Sequence, residues 1–323
     1  MLRRLGIIFF MILAANVGAA SAAPLKIDPN LPDYKTADGV TGEIDSIGSD
    51  AMSHLMAMWA EAFHNKYPDI NIKFEGTGSN TAPPALVAGT AQIGPMSRKM
   101  ESGEIDQFER RYGFKPTRIG VALDTLAVIV NKDNPIKSTS LEKLDAAFSK
   151  TRKRGYDLDI VVWGQMGVAG KIASQPLSLY GSNHASGTYR FFREYTLAKG
   201  EYKDSVNGQP GPASVVQGIA RDKNGIGYSE IGYMTSGVKA IDLSLIEGTQ
   251  AHAPTYENVL NGKYPLGRML YIYVVKQPDK PLPKLQEEFI KFILSREGQE
   301  IVAKNSFLPL SKNILDQQLS IVK

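Results

Sequence analysis

Ile119 to Val130 is a single extended, β-rich apolar run interrupted only by Asp124 and Thr125. Strands in globular proteins average about 5–6 residues, so a run of this length spans more than one packing environment. A second β-rich run, Leu270 to Val275, lies far along the chain. Two such segments are what a boundary crossed twice by the backbone looks like. On that reading residues 40–124 and 264–323 form one lobe and residues 125–263 the other. Elsewhere strand and helix patterns alternate, which predicts α/β architecture.

The local patterns are explicit. Glu43 to Ile47 reads as a strand and leads into a helix from Ser49 to about Tyr67. Along it Met52, Leu55, Met56, Trp59 and Phe63 recur at spacings of three and four, forming one core face. Ile70, Ile72 and Phe74 alternate with Asn71 and Lys73, the period of a strand. Pro83 and Pro84 suit the first turn of the next helix, where a missing N–H costs nothing. Ser140 is placed to cap a helix through Phe148. Ile160 to Trp163, Leu177 to Tyr180 and Ile226 to Tyr228 read as strands, and Thr188 to Leu197 as a helix. Leu285, Phe289, Phe292 and Ile293 mark the buried stripe of a helical tail.

The N-terminus reads as an export signal. Arg3 and Arg4 precede an apolar stretch from Leu5 to Ala15, and Ala20-Ser21-Ala22-Ala23-Pro24 supplies small residues for cleavage after Ala22 or Ala23. Residues 1–23 are therefore expected to be removed, placing the mature chain in the periplasm, and residues 24–39 to form a loose Pro- and Asp-rich arm. Without Arg3 and Arg4 the formal charge drops from +4 to +2. That is too small for a nucleic-acid footprint, which needs a clustered basic face. The chain has no cysteine, so neither a disulfide nor a lipidated Cys is available and the core must supply the stability. His54, His64, His184 and His252 are scattered without metal-ligand spacing, so no metal or cofactor is expected. Gly164 to Lys171 has glycine spacing one residue too long for a phosphate-cradling P-loop, and Ile172 stands where Ser or Thr is required.

Four short stretches place Gly, Ser, Thr or Asn where a helix begins. They are Gly48-Ser49-Asp50, Gly76 to Thr81, Gly94 to Arg98, and Ala185-Ser186-Gly187-Thr188. A helix start presents unsatisfied N–H groups and positive potential, glycine permits close approach, and hydroxyls add donors. One such stretch is an ordinary cap. Four in both halves of the chain point to one anion held mainly by neutral dipoles, in the crevice beyond the strand ends where α/β sheets bind ligands.

These residues resemble the phosphate-binding proteins of the bacterial Pst-type ABC phosphate uptake system. The resemblance runs through nearly all of the mature chain. It rests on Gly48 to Met52 with Trp59, Gly78-Ser79-Asn80, Ile93 to Arg98, Ser186-Gly187-Thr188-Tyr189 with Phe191 and Phe192, Gly225 to Tyr233, Tyr264-Pro265-Leu266 with Arg268, and Leu308-Pro309-Leu310. It implies a two-lobed type II periplasmic binding-protein fold, each lobe a mixed sheet flanked by helices and joined by two hinge strands. It also implies a monomeric, non-enzymatic protein that closes on dehydrated inorganic phosphate and delivers it to ABC permease subunits in the inner membrane. Carried over, the ligand contacts fall on Ser49, Asp50 and the Ala51 N–H, on Ser79 and Asn80, on Ser97 and Arg98, and on Ser186, the Gly187 N–H and Thr188.

The chain departs from the family pattern at two points. Ser182 stands where members carry Arg, four residues before the fourth-loop Ser, and Ser97 stands where some carry Asp. Arg98, Arg190 or Arg268 is then the substitute cation, with Arg98 first in line. Asp50 and Asp124 are the candidate acceptors for a phosphate proton, the group sulfate lacks. The alternatives are that Asp50 caps its helix and that Asp124 is a hinge residue binding backbone. His184 either touches ligand or faces solvent. Another oxyanion, a phosphorylated metabolite, or a phosphoester-acting enzyme using the same pocket are the competing functions.

Overall fold

The computed structural model describes residues 27–322. The signal segment, residues 1–23, lies outside them. The first lobe is built by β1 (Gly42–Ile47), α1 (Ser53–His64), β2 (Ile70–Glu75), α2 (Ala82–Ala88), β3 (Ile93–Met96), α3 (Ser102–Tyr112) and the start of β4 (Thr117–Asn131). The second holds β5 (Ser138–Ser140), α4 (Leu141–Phe148), β6 (Ser178–Ser182), α5 (Gly187–Tyr195), β7 (Asn207–Gln209), α6 (Pro212–Arg221), β8 (Gly225–Glu230), β9 (Val238–Ala240), β10 (Asp242–Ser244) and α7 (Tyr256–Leu260). The chain then returns through β11 (Gly267–Val274) to α8 (Lys284–Ile293), α9 (Arg296–Lys304) and α10 (Lys312–Val322).

The long apolar run is one strand, β4, which serves both lobes. Among the described residues the main sheet runs β2-β1-β3-β11-β4-β8-β6-β7, with β9 also on β4. The first part of β4 pairs antiparallel with β11, from Thr117↔Val274 to Thr125↔Gly267. Its second part pairs antiparallel with β8, from Leu126↔Glu230 to Val130↔Ile226. Parallel pairs β1–β2 and β6–β8 make each half a mixed sheet. The return crossing lies beside the first: Leu126 N donates to Leu266 O at 2.9 Å and the Tyr264 hydroxyl to Leu126 O at 3.0 Å.

Helices cover both faces, which is why β4 is apolar without alternation. Leu126, Val128 and Val130 enter one core with Phe148, Trp163, Phe192 and Tyr228. Ala127 and Ile129 enter another with Val215, Val216 and Ile219 of α6. In the first lobe Ile119, Val121 and Ile272 pack with Trp59, Phe63, Phe289 and Phe292, where Trp59 Nε1 donates to Gly298 O at 2.9 Å.

Three expectations need revision. The helix expected from Ser49 is a 3-10 turn, Asp50–Met52, followed by α1. Ile160 to Trp163 is no strand: Gln165 Oε1 accepts from Val161 N (2.7 Å) and Val162 N (3.0 Å) and turns the backbone into a 3-10 helix, Trp163–Met166. The described part of the arm is anchored rather than loose. Arg296 donates to Pro29 O (2.7 Å), Leu31 O (2.9 Å) and Asp33 Oδ1 (2.9 Å), and Leu31 is buried. Among the described residues no helix is long and apolar enough to cross a membrane.

Candidate functional site

Three of the glycine- and hydroxyl-rich stretches follow the carboxyl ends of β1, β2 and β6, and the other, Gly94 to Arg98, runs through the last residues of β3 and past its carboxyl end. The first three are stitched together within the first lobe. Gly48 N donates to Glu75 O (3.0 Å), Ser49 N to Pro95 O (2.8 Å) and Gly78 N to Gly48 O (2.8 Å). Ser97 N donates to Ser79 Oγ (3.0 Å), and the two hydroxyls lie 3.2 Å apart. The fourth stretch opens α5, where Ser186 caps the helix by accepting from Thr188 N at 3.1 Å.

The lobes meet at these loops. Ser186 Oγ donates to Asp50 Oδ1 at 3.1 Å. Asn80 donates through its N–H to Ala185 O (3.3 Å) and through Nδ2 to His184 O (2.9 Å). The Tyr233 hydroxyl reaches Ala51 O at 3.3 Å, and Arg190 pairs with Glu101. Two glycines make this approach possible. Gly78 has φ +116°, and a Cβ there would lie 2.5 Å from Ala185 O. A Cβ on Gly187 would collide with the hydroxyls of Ser79 and Ser97 and lie 2.8 Å from Ser79 Cβ. The N-terminal turn of α5 therefore packs edge-on against two serines of the other lobe.

Behind this junction sits a buried charge cluster. Arg268 and Asp124 are register partners across β11 and β4. Arg268 Nε donates to Asp124 Oδ2 (2.9 Å), and Nη2 reaches both Glu230 Oε1 (2.6 Å) and Thr188 Oγ1 (2.9 Å). The Phe191 ring lies 5.0 Å from the guanidinium carbon. Among the described residues Arg268 Nη1, Asp124 Oδ1 and Glu230 Oε2 have no hydrogen-bond partner. Burial pushes Asp50 up to about 6, with Glu230 adding to the rise, while Ser186, the Ala51 N–H and Arg268 oppose it. Burial also raises Asp124 despite Arg268. Burial opposes the charge on Arg268, but Asp124 and Glu230 outweigh it and raise its pKa.

Asp50, Ser79, Asn80, Ser97, Ser186, Gly187 and Thr188 thus line one junction, and Asp124 lies in the charge cluster behind it. Ser49 and Ala51 are buried beside the junction, and Ser49 Oγ has no partner among the described residues. Asp124 makes an ion pair rather than serving only the backbone. Arg98, ranked first as substitute cation, is claimed by others: both terminal nitrogens bond Glu104 (2.8 and 2.6 Å) and Nη2 also donates to Asn80 Oδ1 at 2.6 Å. Ser182 ends β6 opposite Gln209, and among the described residues no hydrogen bond ties its hydroxyl to the cluster. Glu230 was not anticipated. Its signal was a carboxylate ending a strand, Gly225–Glu230, that is buried throughout.

In front of the junction a cleft of about 1010 Å³ separates the lobes, walled by Ser97, Lys99, Arg193, Tyr195, Lys199 and Arg268 among others. Among the described residues no group of three His, Asp or Glu side chains is placed to hold a metal ion. Chemically the junction offers hydroxyls and helix-start N–H groups from both lobes, with every buried guanidinium already facing carboxylates.

The sequence profile of the PBP superfamily domain matches residues 34–297. The chain is 48% identical over 307 residues to the phosphate-binding protein PstS of Pseudomonas aeruginosa, covering 95% of each. A Clostridium perfringens phosphate ABC transporter substrate-binding protein, solved with bound phosphate, is 27% identical and superposes with a TM-score of 0.70 over 83% of this chain and 100% of that one. An ABC-type phosphate transport receptor from Vibrio cholerae shares the fold at 21% identity, with a TM-score of 0.63 over 83% of this chain and 100% of that one. Two lobes, four glycine- and hydroxyl-rich loops at their junction and these similarities place the chain in the PBP superfamily, within its family of PstS phosphate-binding proteins.

Proposed function

We propose that the chain binds inorganic phosphate between its lobes in the periplasm and delivers it, as a monomer and without catalysis, to the permease subunits of an ABC importer. The observation that carries this reading is the seating of Gly187, at the start of α5, against Ser79 and Ser97 of the opposite lobe. The proposed ligand set is Ser49, Asp50, Ala51, Ser79, Asn80, Ser97, Arg98, Asp124, Ser182, Ser186, Gly187 and Thr188. The proposed lobes are residues 40–124 with 264–323, and residues 125–263. Their support is that one core draws on residues up to Ala122 and from Leu270 onward, and another on Leu126 through Leu266.

Neutral hydrogen bonds contribute about 0.5–1.5 kcal/mol each and charge-assisted ones about 1.5–3. Several converging on one anion support micromolar affinity, about −8 kcal/mol, after ordering costs. Titration of refolded, ligand-free protein should give phosphate saturation at about micromolar concentration and none by sulfate at about millimolar. Absence of phosphate binding would refute the proposal. The roomy cationic cleft favours a second reading, a phosphorylated metabolite, which a phosphomonoester outcompeting phosphate in the same titration would support.

A further inference from the structure

Glu230 ends β8 fully buried, and one of its oxygens has no partner among the described residues. The charged and titratable groups around it come from every neighbouring element. They are Arg268 on β11, Asp124 on β4, Asp50 after β1, and the hydroxyls of Tyr228 and Tyr233. Between Glu230 and Arg268 sits the Thr188 hydroxyl. The direction of each bond follows from the atoms. A guanidinium only donates, a carboxylate only accepts, and a hydroxyl has one proton and two lone pairs. Arg268 Nη2 therefore donates to Thr188 Oγ1 at 2.9 Å, and Thr188 gives its single proton to Glu230 Oε1. Thr188 is also the second residue of α5, next to Gly187, and its hydroxyl bonds Arg268, which walls the cleft in front of the junction.

We propose that Glu230 is a selectivity-determining residue: by holding the Thr188 proton it leaves that hydroxyl a lone pair but no proton for the guest, so a bound tetraoxo anion must bring its own. Phosphate carries a proton at neutral pH and sulfate carries none. An acceptor facing an unprotonated oxyanion sets lone pair against lone pair, and a buried polar mismatch of that kind discriminates strongly. Asp50 is held in the same way, accepting the Ser186 proton at 3.1 Å. Both hydroxyls of the fourth stretch, Ser186 and Thr188, thus donate to carboxylates. Glu230 acts through Thr188 and is a positioning residue. The inference rests on the phosphate-binding reading and extends it to the choice between anions.

The test is a cycle of Glu230→Met, Thr188→Val and the double variant, each titrated calorimetrically with phosphate and with sulfate near pH 7.5. E230M retains length and packing but frees the Thr188 proton, so sulfate affinity should rise about tenfold or more. T188V removes the acceptor, so phosphate should weaken by a similar factor while sulfate, freed of the opposed lone pair, should not weaken. In the double variant sulfate should bind no better than in T188V, because no hydroxyl proton is left to donate. A double variant that binds sulfate about tenfold or more tighter than T188V would mean simple loss of charge repulsion and would overturn the proposal. So would an unchanged phosphate-to-sulfate ratio in folded E230M. If E230M does not fold, T188V decides alone, and equal effects on the two anions would sink the idea. Wild-type phosphate binding in the same series separates the two levels. Its absence ends both readings, whereas bound phosphate with an unmoved ratio ends only this one.

Discussion

Arg268→Met is expected to destabilise the protein by about 3–5 kcal/mol at neutral pH, the cost of removing from two buried carboxylates the only cation that pairs with them among the described residues. Asp124 and Glu230 are both fully buried, and Arg268 faces them at 2.8 and 2.6 Å. The loss should also depend on pH in a defined direction. Asp50 titrates near 6 in the folded protein, against about 3.9 unfolded, so its burial penalty is present above pH 6 and relieved as pH falls. Asp124 shifts the same way. Without the guanidinium the folded-state pKa of Asp124 rises further, so the variant should regain stability relative to wild type between about pH 7 and 5. Urea denaturation at several pH values measures this. A loss below about 1 kcal/mol, or one that grows on acidification, would contradict a buried, singly compensated cluster.

Gly187→Ala is expected to reduce phosphate affinity at least about 100-fold, or about 2.7 kcal/mol, while leaving the thermal midpoint of ligand-free protein nearly unchanged. The added methyl meets the Ser79 and Ser97 hydroxyls, which belong to the other lobe. Each lobe keeps its own core, so the lobes can stand slightly apart without unfolding, but they can no longer close on a small ion. Backbone strain is not the cause, because the residue occupies an ordinary helical start. Calorimetric titration checks the affinity and scanning calorimetry the midpoint. Affinity within about threefold of wild type would show that the two serines and α5 need not come together for binding.

Much of this architecture was legible in the sequence because it is local. The 3.6-residue recurrence of Leu55, Met56, Trp59 and Phe63, the caps at Ser140 and Ser186, and the prolines opening α2 all act within one turn of their neighbours. The length of Ile119 to Val130 announced a strand serving two lobes. What escaped depends on partners distant in the chain. Residues 27–39 look loose until Arg296 takes their carbonyls and Asp33. Arg98 looks like a free cation until Glu104, on the first turn of α3, claims both its terminal nitrogens. Glu230 and Arg268 meet because strand register sets β8 and β11 on either side of Asp124 and Leu126 in β4, which no motif encodes. The same register turns Asp124 from a break in an apolar run into the centre of a charge cluster.

A crystal structure grown with inorganic phosphate is the most direct measurement. Density for a tetraoxo ion touching Ser79 and Ser97 from one lobe and Ser186, Gly187 N and Thr188 from the other is expected, with Arg98 still on Glu104 and Arg268 still on Asp124. An ion held instead by Lys99, Arg193 or Lys199 in the outer cleft, with the serines and the α5 start out of reach, would contradict a site assembled from neutral donors of both lobes.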